Sequence, residues 1–217
     1  MKIALIGATG NVGKTILNEA LQRGHEVTAI ARNPEKLDIT NDKLSVKAAD
    51  VFDVDHLAGI LTGHDAVVSA YNSGWTNPNI YADFIAGSEA IQKAVKQAGV
   101  KRLLVIGGAG SLEIAPGVQL VDSPDFPAAY KPGATAARDY LNILKKEEEL
   151  DWTFLSPAIN MHPDAHGKRT GKFRLGTDQP VFNEKGENFI LIEDLAVAII
   201  DELENNQFIK RRFTVGY

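Results

Sequence analysis

The segment Gly7-Ala8-Thr9-Gly10-Asn11-Val12-Gly13 constrains this chain most: it is a GxxGxxG spacing set directly after the apolar run Ile3-Ala4-Leu5-Ile6. A continuous apolar run predicts a strand buried on both faces. After the loop, Val12–Arg23 predicts a helix, with Val12, Ile16, Leu17, Ala20 and Leu21 on one stripe and Gly24 at its end. Strand, glycine turn and helix in that order are the context a dinucleotide site requires. Gly7 permits the tight turn, and Gly10 lets the backbone approach a pyrophosphate at the helix N-terminus. Gly13 lets the helix pack against the strand. The alternative is a glycine-rich turn without a ligand. A P-loop is excluded, because Ala8 stands where the spacing before Gly13-Lys14-Thr15 needs a glycine.

Strand and helix patterns alternate along the chain. Strands are expected at Glu26–Ala31, Leu44–Ala48, Ala66–Ala70, Arg102–Ile106 and Trp152–Leu155. Helices are expected at Val54–Leu61, Tyr81–Ala98 and Thr135–Leu150. This alternation predicts an α/β protein: a doubly wound parallel sheet with helices on both faces. Beyond it, residues 162–176 read as a polar, basic loop with a short strand, Glu193–Leu203 as an amphipathic helix and Phe213–Val215 as a last edge strand. The expectation is one domain over 1–217, with about 158–217 forming a small lobe on the substrate side. Two long connections, Tyr71–Asn79 and Gly107–Pro132, leave strand C-terminal ends, where open α/β sheets bind ligands.

Composition removes several function classes. The 217 residues hold no cysteine, which excludes disulfides, thiolate metal sites and cysteine nucleophiles. A formal charge of −5 supplies no global basic field, so neither nucleic acid nor a membrane surface is an expected partner. No segment reads as a membrane span, and the expected location is cytoplasmic. A homodimer is left open.

The second strand ends Ile30-Ala31-Arg32-Asn33, with no carboxylate before Glu35. An NAD site wants an acid there for the ribose 2′-hydroxyl, whereas Arg32 offers a planar cation to a 2′-phosphate. NADP(H) is therefore favoured over NAD(H), the alternative being a solvated surface arginine. Asp50 ends the third strand, where it accepts from an adenine amino group or caps the following turn. Val51 would cover the ring. Ser69-Ala70-Tyr71 ends the fourth strand with small residues over which a cofactor can lie.

Together these residues resemble the short-chain dehydrogenase/reductase superfamily, in its atypical, NmrA-like group. The GATGxxG spelling at Gly7–Gly13, Arg32, Asp50-Val51, Gly107-Gly108-Ala109 and Trp152-Thr153-Phe154-Leu155-Ser156-Pro157 carry the resemblance. It is nearest to a bacterial subgroup named after NADH-flavin reductases and epimerases, and it spans essentially the whole chain. It implies a Rossmann fold in which Gly7, Thr9, Gly10, Asn11, Val12 and Gly13 hold the pyrophosphate. Arg32 would hold the 2′-phosphate, Asp50 and Val51 the adenine, and Ser69 and Ala70 the ribose, with Tyr71 and Gly108 alongside. Pro157 and Ala158 would lie near the nicotinamide.

The superfamily's catalytic Tyr-x-x-x-Lys is missing. Ala134 stands four residues after Tyr130 and Leu144 four after Tyr140; Lys145 is one residue too late. Ser111 stands where a substrate-side hydroxyl is expected, or is a turn serine. Tyr130 is a substrate contact or a loop anchor. Tyr71, Trp75, Phe84, Phe126 and Tyr130 read as an apolar platform or in part as core. His162 and His166 are four apart, but Pro163 and Gly167 argue against a helical metal pair, and no metal is expected. The run Lys145–Glu149 reads as a solvated helix end, and Glu193-Asp194 as dipole stabilisation.

Reducing a ketone or epimerising a sugar needs a placed proton donor. A flavin, quinone or similar conjugated small molecule takes hydride with solvent supplying the proton. The expected function is NADPH-dependent reduction of such an acceptor. Two alternatives remain: an NADP-binding redox sensor that regulates a partner protein, and an epimerase or dehydratase. Arg32→Ala should weaken NADPH binding by about 1.5–3 kcal/mol, roughly tenfold to a hundredfold, with a smaller effect on NADH. Fluorescence titration of both nucleotides checks this; equal losses would remove Arg32 from the site.

Overall fold

Residues 1–161 and 166–217 are described by the computed structural model. The apolar runs become β1 (Lys2–Ile6), β2 (Glu26–Ala31), β3 (Leu44–Ala48), β4 (Ala66–Ser69) and β5 (Arg102–Ile106). Between them lie α1 (Asn11–Gln22), α2 (Val54–Leu61) and α3 (Ile80–Gln97). The second long connection carries its own small hairpin, β6 (Glu113–Ala115) with β7 (Val118–Gln119). Then follow α4 (Lys131–Leu144), β8 (Asp151–Ser156), β9 (Arg174–Gly176), α5 (Ile192–Asn205) and β10 (Arg211–Gly216).

The main sheet runs β3-β2-β1-β4-β5-β8-β10-β9. All its pairings are parallel except that of β9 with β10. Strand order reverses between β1 and β4, whose ends are in register at Ile6 and Ser69. That reversal opens a crevice at the strand C-terminal ends. Alternate side chains of each strand feed two cores. One, with Ile6, Val67, Leu103 and Phe154, is covered by α2, α3 and α4. The other, with Leu5, Val68, Leu104 and Phe213, is covered by α1 and α5. The alternating strand–helix reading thus describes the architecture.

Three expectations need correction. Phe213–Val215 lies in β10, which is internal, between β8 and β9; the edge strand is β9. A strand's partners are a non-local property, invisible in its own residues. The fourth helix spans Lys131–Leu144 instead of Thr135–Leu150. Pro132 sits in its first turn, where no backbone N–H is needed. At its other end the Glu147 carboxylate accepts from the backbone N–H of Glu149 (2.6 Å) and Leu150 (3.3 Å), which draws the chain out of the helix. The charge run is therefore more than a solvated face: the Glu147 side chain is only 5 % exposed and also accepts from Gln92 at 2.6 Å. In the C-terminal part, α5 and β10 complete the main layers.

One buried ion pair ties α5 to the sheet. Arg102 on β5 donates to Glu202 on α5 (2.7 Å) and to Thr153 on β8 (2.7 Å). Glu202 in turn accepts from the backbone N–H of Gln207 (3.0 Å) and Phe208 (3.1 Å). Glu202→Ala would leave the Arg102 guanidinium buried and unpaired, at a cost of about 3–5 kcal/mol. Urea denaturation checks this; a loss below about 1 kcal/mol would mean that water enters to solvate Arg102.

Candidate functional site

Gly7 follows β1 directly and adopts φ +81°, with its N–H donated to the Ile30 carbonyl at 3.0 Å. A Cβ there would stand 2.5 Å from the Ala70 carbonyl oxygen at the end of β4, so only glycine closes this turn. A Cβ on Gly13 would stand 2.2 Å from the Gly7 carbonyl oxygen. The first turn of α1 is thereby pressed against the strand end. Gly10 is exposed and extended, and precedes a helix that has no side-chain cap and no acidic residue in its first turn. Such an N-terminus, at the point where the strand order reverses, fits a pyrophosphate. Thr9, Asn11 and Val12 line the same turn.

On the β2–β3 side, Arg32 is an exposed cation just past β2, and Asp50 is exposed just past β3. Asp50 also accepts from the backbone N–H of Phe52 at 3.0 Å, so it does cap its turn. Val51 is buried beneath it. Ser69 is buried, and the Ala70 N–H is donated to Ile6 at 2.9 Å. Tyr71 donates its hydroxyl to the Asp83 carbonyl at 2.9 Å. Burial, followed by the Asp83 charge, pushes this phenol up; the Arg32 charge acts the other way, and Asp50 adds to the rise. Arg32, Asp50 and Tyr71 therefore share one electrostatic neighbourhood.

On the other side lie the ends of β5 and β8. Gly108 leaves β5 against α4, where its Cβ would stand 3.4 Å from that of Ala137. Pro157 and Ala158 are buried just after β8. Ser111 is only 1 % exposed; its Oγ lies 3.1 Å from the Ser156 Oγ. Arg212 of β10 donates to this Ser111 Oγ at 3.2 Å and pairs outward with Asp178. Ser111 is thus a turn residue held within a buried polar cluster. Neither Arg212 nor Asp178 had a local signal in the sequence, because only the β8–β10 pairing brings them here.

The aromatic residues divide. Tyr71 stacks on Phe84 (6.0 Å between centroids), and Phe84 meets Tyr140 edge-on (6.4 Å), inside the core. Phe126 is half-buried and makes neither contact. Trp75 and Tyr130 form an edge-to-face pair 5.5 Å apart, with both residues half exposed. They join the loop after β4 to the start of α4. Tyr140 is no acid: its hydroxyl donates to Ser88 or Gln92, each at 3.2 Å, and burial pushes it far above the usual tyrosine range.

The basic segment after β8 is laid across α1 and α5. His166 lies 2.7 Å from the Asn11 Oδ1 and 2.8 Å from the Glu193 carboxylate. Arg169 forks onto Glu19 with two 2.8 Å bonds. Thr170 and Gly171 donate their N–H groups to Asp194 at 2.9 and 2.7 Å. Burial raises both carboxyls, but these hydrogen bonds outweigh it and hold Glu193 and Asp194 below the usual range. Glu193-Asp194 therefore anchors a strap in addition to opening α5. His162, the other half of the considered metal pair, falls outside the described residues. Among the described residues no group of three His, Cys, Asp or Glu is placed to hold a metal, and no helix is long and apolar enough to cross a membrane.

Fold and loop define a nicotinamide-dinucleotide-binding protein. The model of the NAD(P)H-binding family matches residues 7–206. The chain is 40 % identical over 217 residues to the uncharacterised protein YwnB of Bacillus subtilis, covering 99 % of this chain and 98 % of that protein. A Bacteroides thetaiotaomicron structure provisionally called an epimerase is 49 % identical, with TM-score 0.92 over 100 % of this chain and 96 % of its own. A Streptococcus pneumoniae structure provisionally called an NADH-flavin reductase is 39 % identical, with TM-score 0.84 over 100 % and 99 %. The chain belongs to the NAD(P)H-binding family, as an atypical short-chain dehydrogenase/reductase.

The backbone clash at Gly13 yields a direct test. Gly13→Ala should cost about 1–3 kcal/mol of stability and weaken dinucleotide binding about tenfold or more, by forcing α1 away from the turn. Thermal unfolding with and without NADPH reads both; unchanged affinity would remove this turn from the site.

Proposed function

We propose that the chain is an NADPH-preferring reductase of a flavin, quinone or similar conjugated small molecule. The carrying observation is the half-exposed Trp75–Tyr130 pair, borne by the loop that leaves the C-terminal end of β4 and by the start of α4, a surface on which a flat acceptor stacks. The exposed Arg32 supports NADPH, because its planar cation suits a 2′-phosphate. The reduced nicotinamide, when bound, supplies hydride. The glycine turn and Arg32 anchor the dinucleotide, Pro157 and Ala158 back its reactive end, and Trp75 with Tyr130 orients the acceptor and excludes water from one face.

No tyrosine–lysine pair moves a proton. Tyr140 is locked in the core, and Ser111 is bound into its buried cluster. A conjugated acceptor spreads the charge of the arriving hydride and takes its proton from water, so it needs no such pair. The name given to the Streptococcus pneumoniae structure supports this chemistry. An epimerase would need the missing proton donor.

The test is NADPH oxidation at 340 nm with FMN, riboflavin and a simple quinone, repeated with NADH. Turnover with NADPH preferred is the expected result, and Trp75→Ala should raise the acceptor KM about tenfold. NADPH binding without turnover on any of the three acceptors would overturn the reading in favour of a sensor.

A further inference from the structure

Gly133 stands buried in the first turn of α4, where the backbone is helical and no positive φ calls for glycine. Glycine is the poorest helix former after proline, so its place here needs a reason outside the backbone. The reason is a side chain from another element. A Cβ on Gly133 would stand 2.8 Å from Cζ3 and 3.5 Å from Cε3 of Trp75, and 2.9 Å from Cδ1 of Ile80. The six-membered edge of the indole therefore rests on bare helix, in a niche between the starts of α3 and α4. Gly87 of α3 makes a second such niche for the same loop, since its Cβ would stand 2.4 Å from the Tyr71 hydroxyl oxygen.

The loop that carries Trp75 holds its course without this niche. Ser73 donates its hydroxyl to the Ile80 carbonyl at 3.1 Å, and Asn77 donates its amide to the Asp83 carboxylate at 2.8 Å. Asn72 accepts from the Gly74 N–H at 2.7 Å. These bonds fix the backbone on both sides of Trp75; what the niche fixes is the ring. Tyr130 meets that ring with the two planes 89° apart, so the pair forms a corner. A flat acceptor can lie on one plane while its edge meets the other. The shape of the corner depends on where the indole sits.

We propose that Gly133 is a positioning residue for the acceptor. By leaving its niche empty it fixes the Trp75 ring, and through that ring it selects acceptors broad enough to fill the corner. The inference rests on the acceptor site proposed above. The three atoms nearest a new Cβ are all side-chain atoms, two of them on the half-exposed indole. The structure therefore yields at the ring and not at the helix.

The experiment compares Gly133→Ala, Trp75→Ala and the double variant. Alanine is the better helix former, so Gly133→Ala should fold as the wild type does, which thermal unfolding checks. Acrylamide quenching of tryptophan emission reads the ring: of the two tryptophans Trp152 is buried, so quenching reports Trp75. It should rise in Gly133→Ala. NADPH oxidation reads the consequence. In Gly133→Ala the riboflavin KM should rise about fivefold, the loss falling on KM and not on kcat, and the KM of a one-ring quinone by less than about twofold. The NADPH Kd should stay where it is. In the Trp75→Ala background Gly133→Ala should add nothing, because the two act through one ring. Wild-type quenching with a wild-type riboflavin KM in Gly133→Ala would overturn the proposal. So would an equal loss for both acceptors, or the full loss repeated in the Trp75→Ala background. Raised quenching without turnover of any acceptor sinks only the reductase reading, and turnover with quenching unmoved sinks only this one.

Discussion

The contact on which the rest of the structure depends is that between Gly13 and the carbonyl of Gly7, too close for any Cβ to stand between them. It sets α1 hard against the end of β1. From there α1 covers one face of the sheet, and α5 packs beside it over the same core. The same contact delivers the uncapped N-terminus of α1 to the crevice between β1 and β4. Fold and anion site therefore share one backbone approach. A looser turn would lose dipole and donors together, since both act only within the first turn.

Much of this was legible because it is local. The apolar run Ile3–Ile6, the stripe on α1 and the glycine spacing each report on neighbours a few residues apart. What escaped was long-range. Arg212 reaches Ser111 across 101 residues, and Arg169 reaches Glu19 across 150. No pattern within either segment announces such partners, so Ser111 read as a substrate-side hydroxyl or a turn serine, and residues 162–176 as a polar, basic loop with a short strand. Glu147 was misread for a related reason: a glutamate in a charged run looks solvated until the donors of Gln92 and the chain's own backbone are seen around it.

Electrostatics divides the crevice into two halves. Toward β2 and β3 the exposed charges are Arg32 and Asp50, beside a tyrosine that feels both. Toward β8 and β10 Arg212 is buried, donating to Ser111 and paired with the exposed Asp178. A dinucleotide needs charge recognition at its adenosine end and a quiet environment at its nicotinamide end. The placement of Arg32 and Asp50 on one side and of the paired Arg212 on the other accords with the proposed orientation of the dinucleotide.

The quiet half bears on chemistry in a definite way. A site that protonates an oxygen must keep a donor with a displaced pKa in contact with substrate. Here the tyrosine whose hydroxyl is most displaced, Tyr140, spends its proton on Ser88 and Gln92 inside the core. Tyr130, at the start of α4, is half exposed against Trp75. Tyr140 is closed to any substrate by its place in the core, while Trp75 and Tyr130 hold their ring surface half exposed, which is the physical ground on which the proposed stacking acceptor rests.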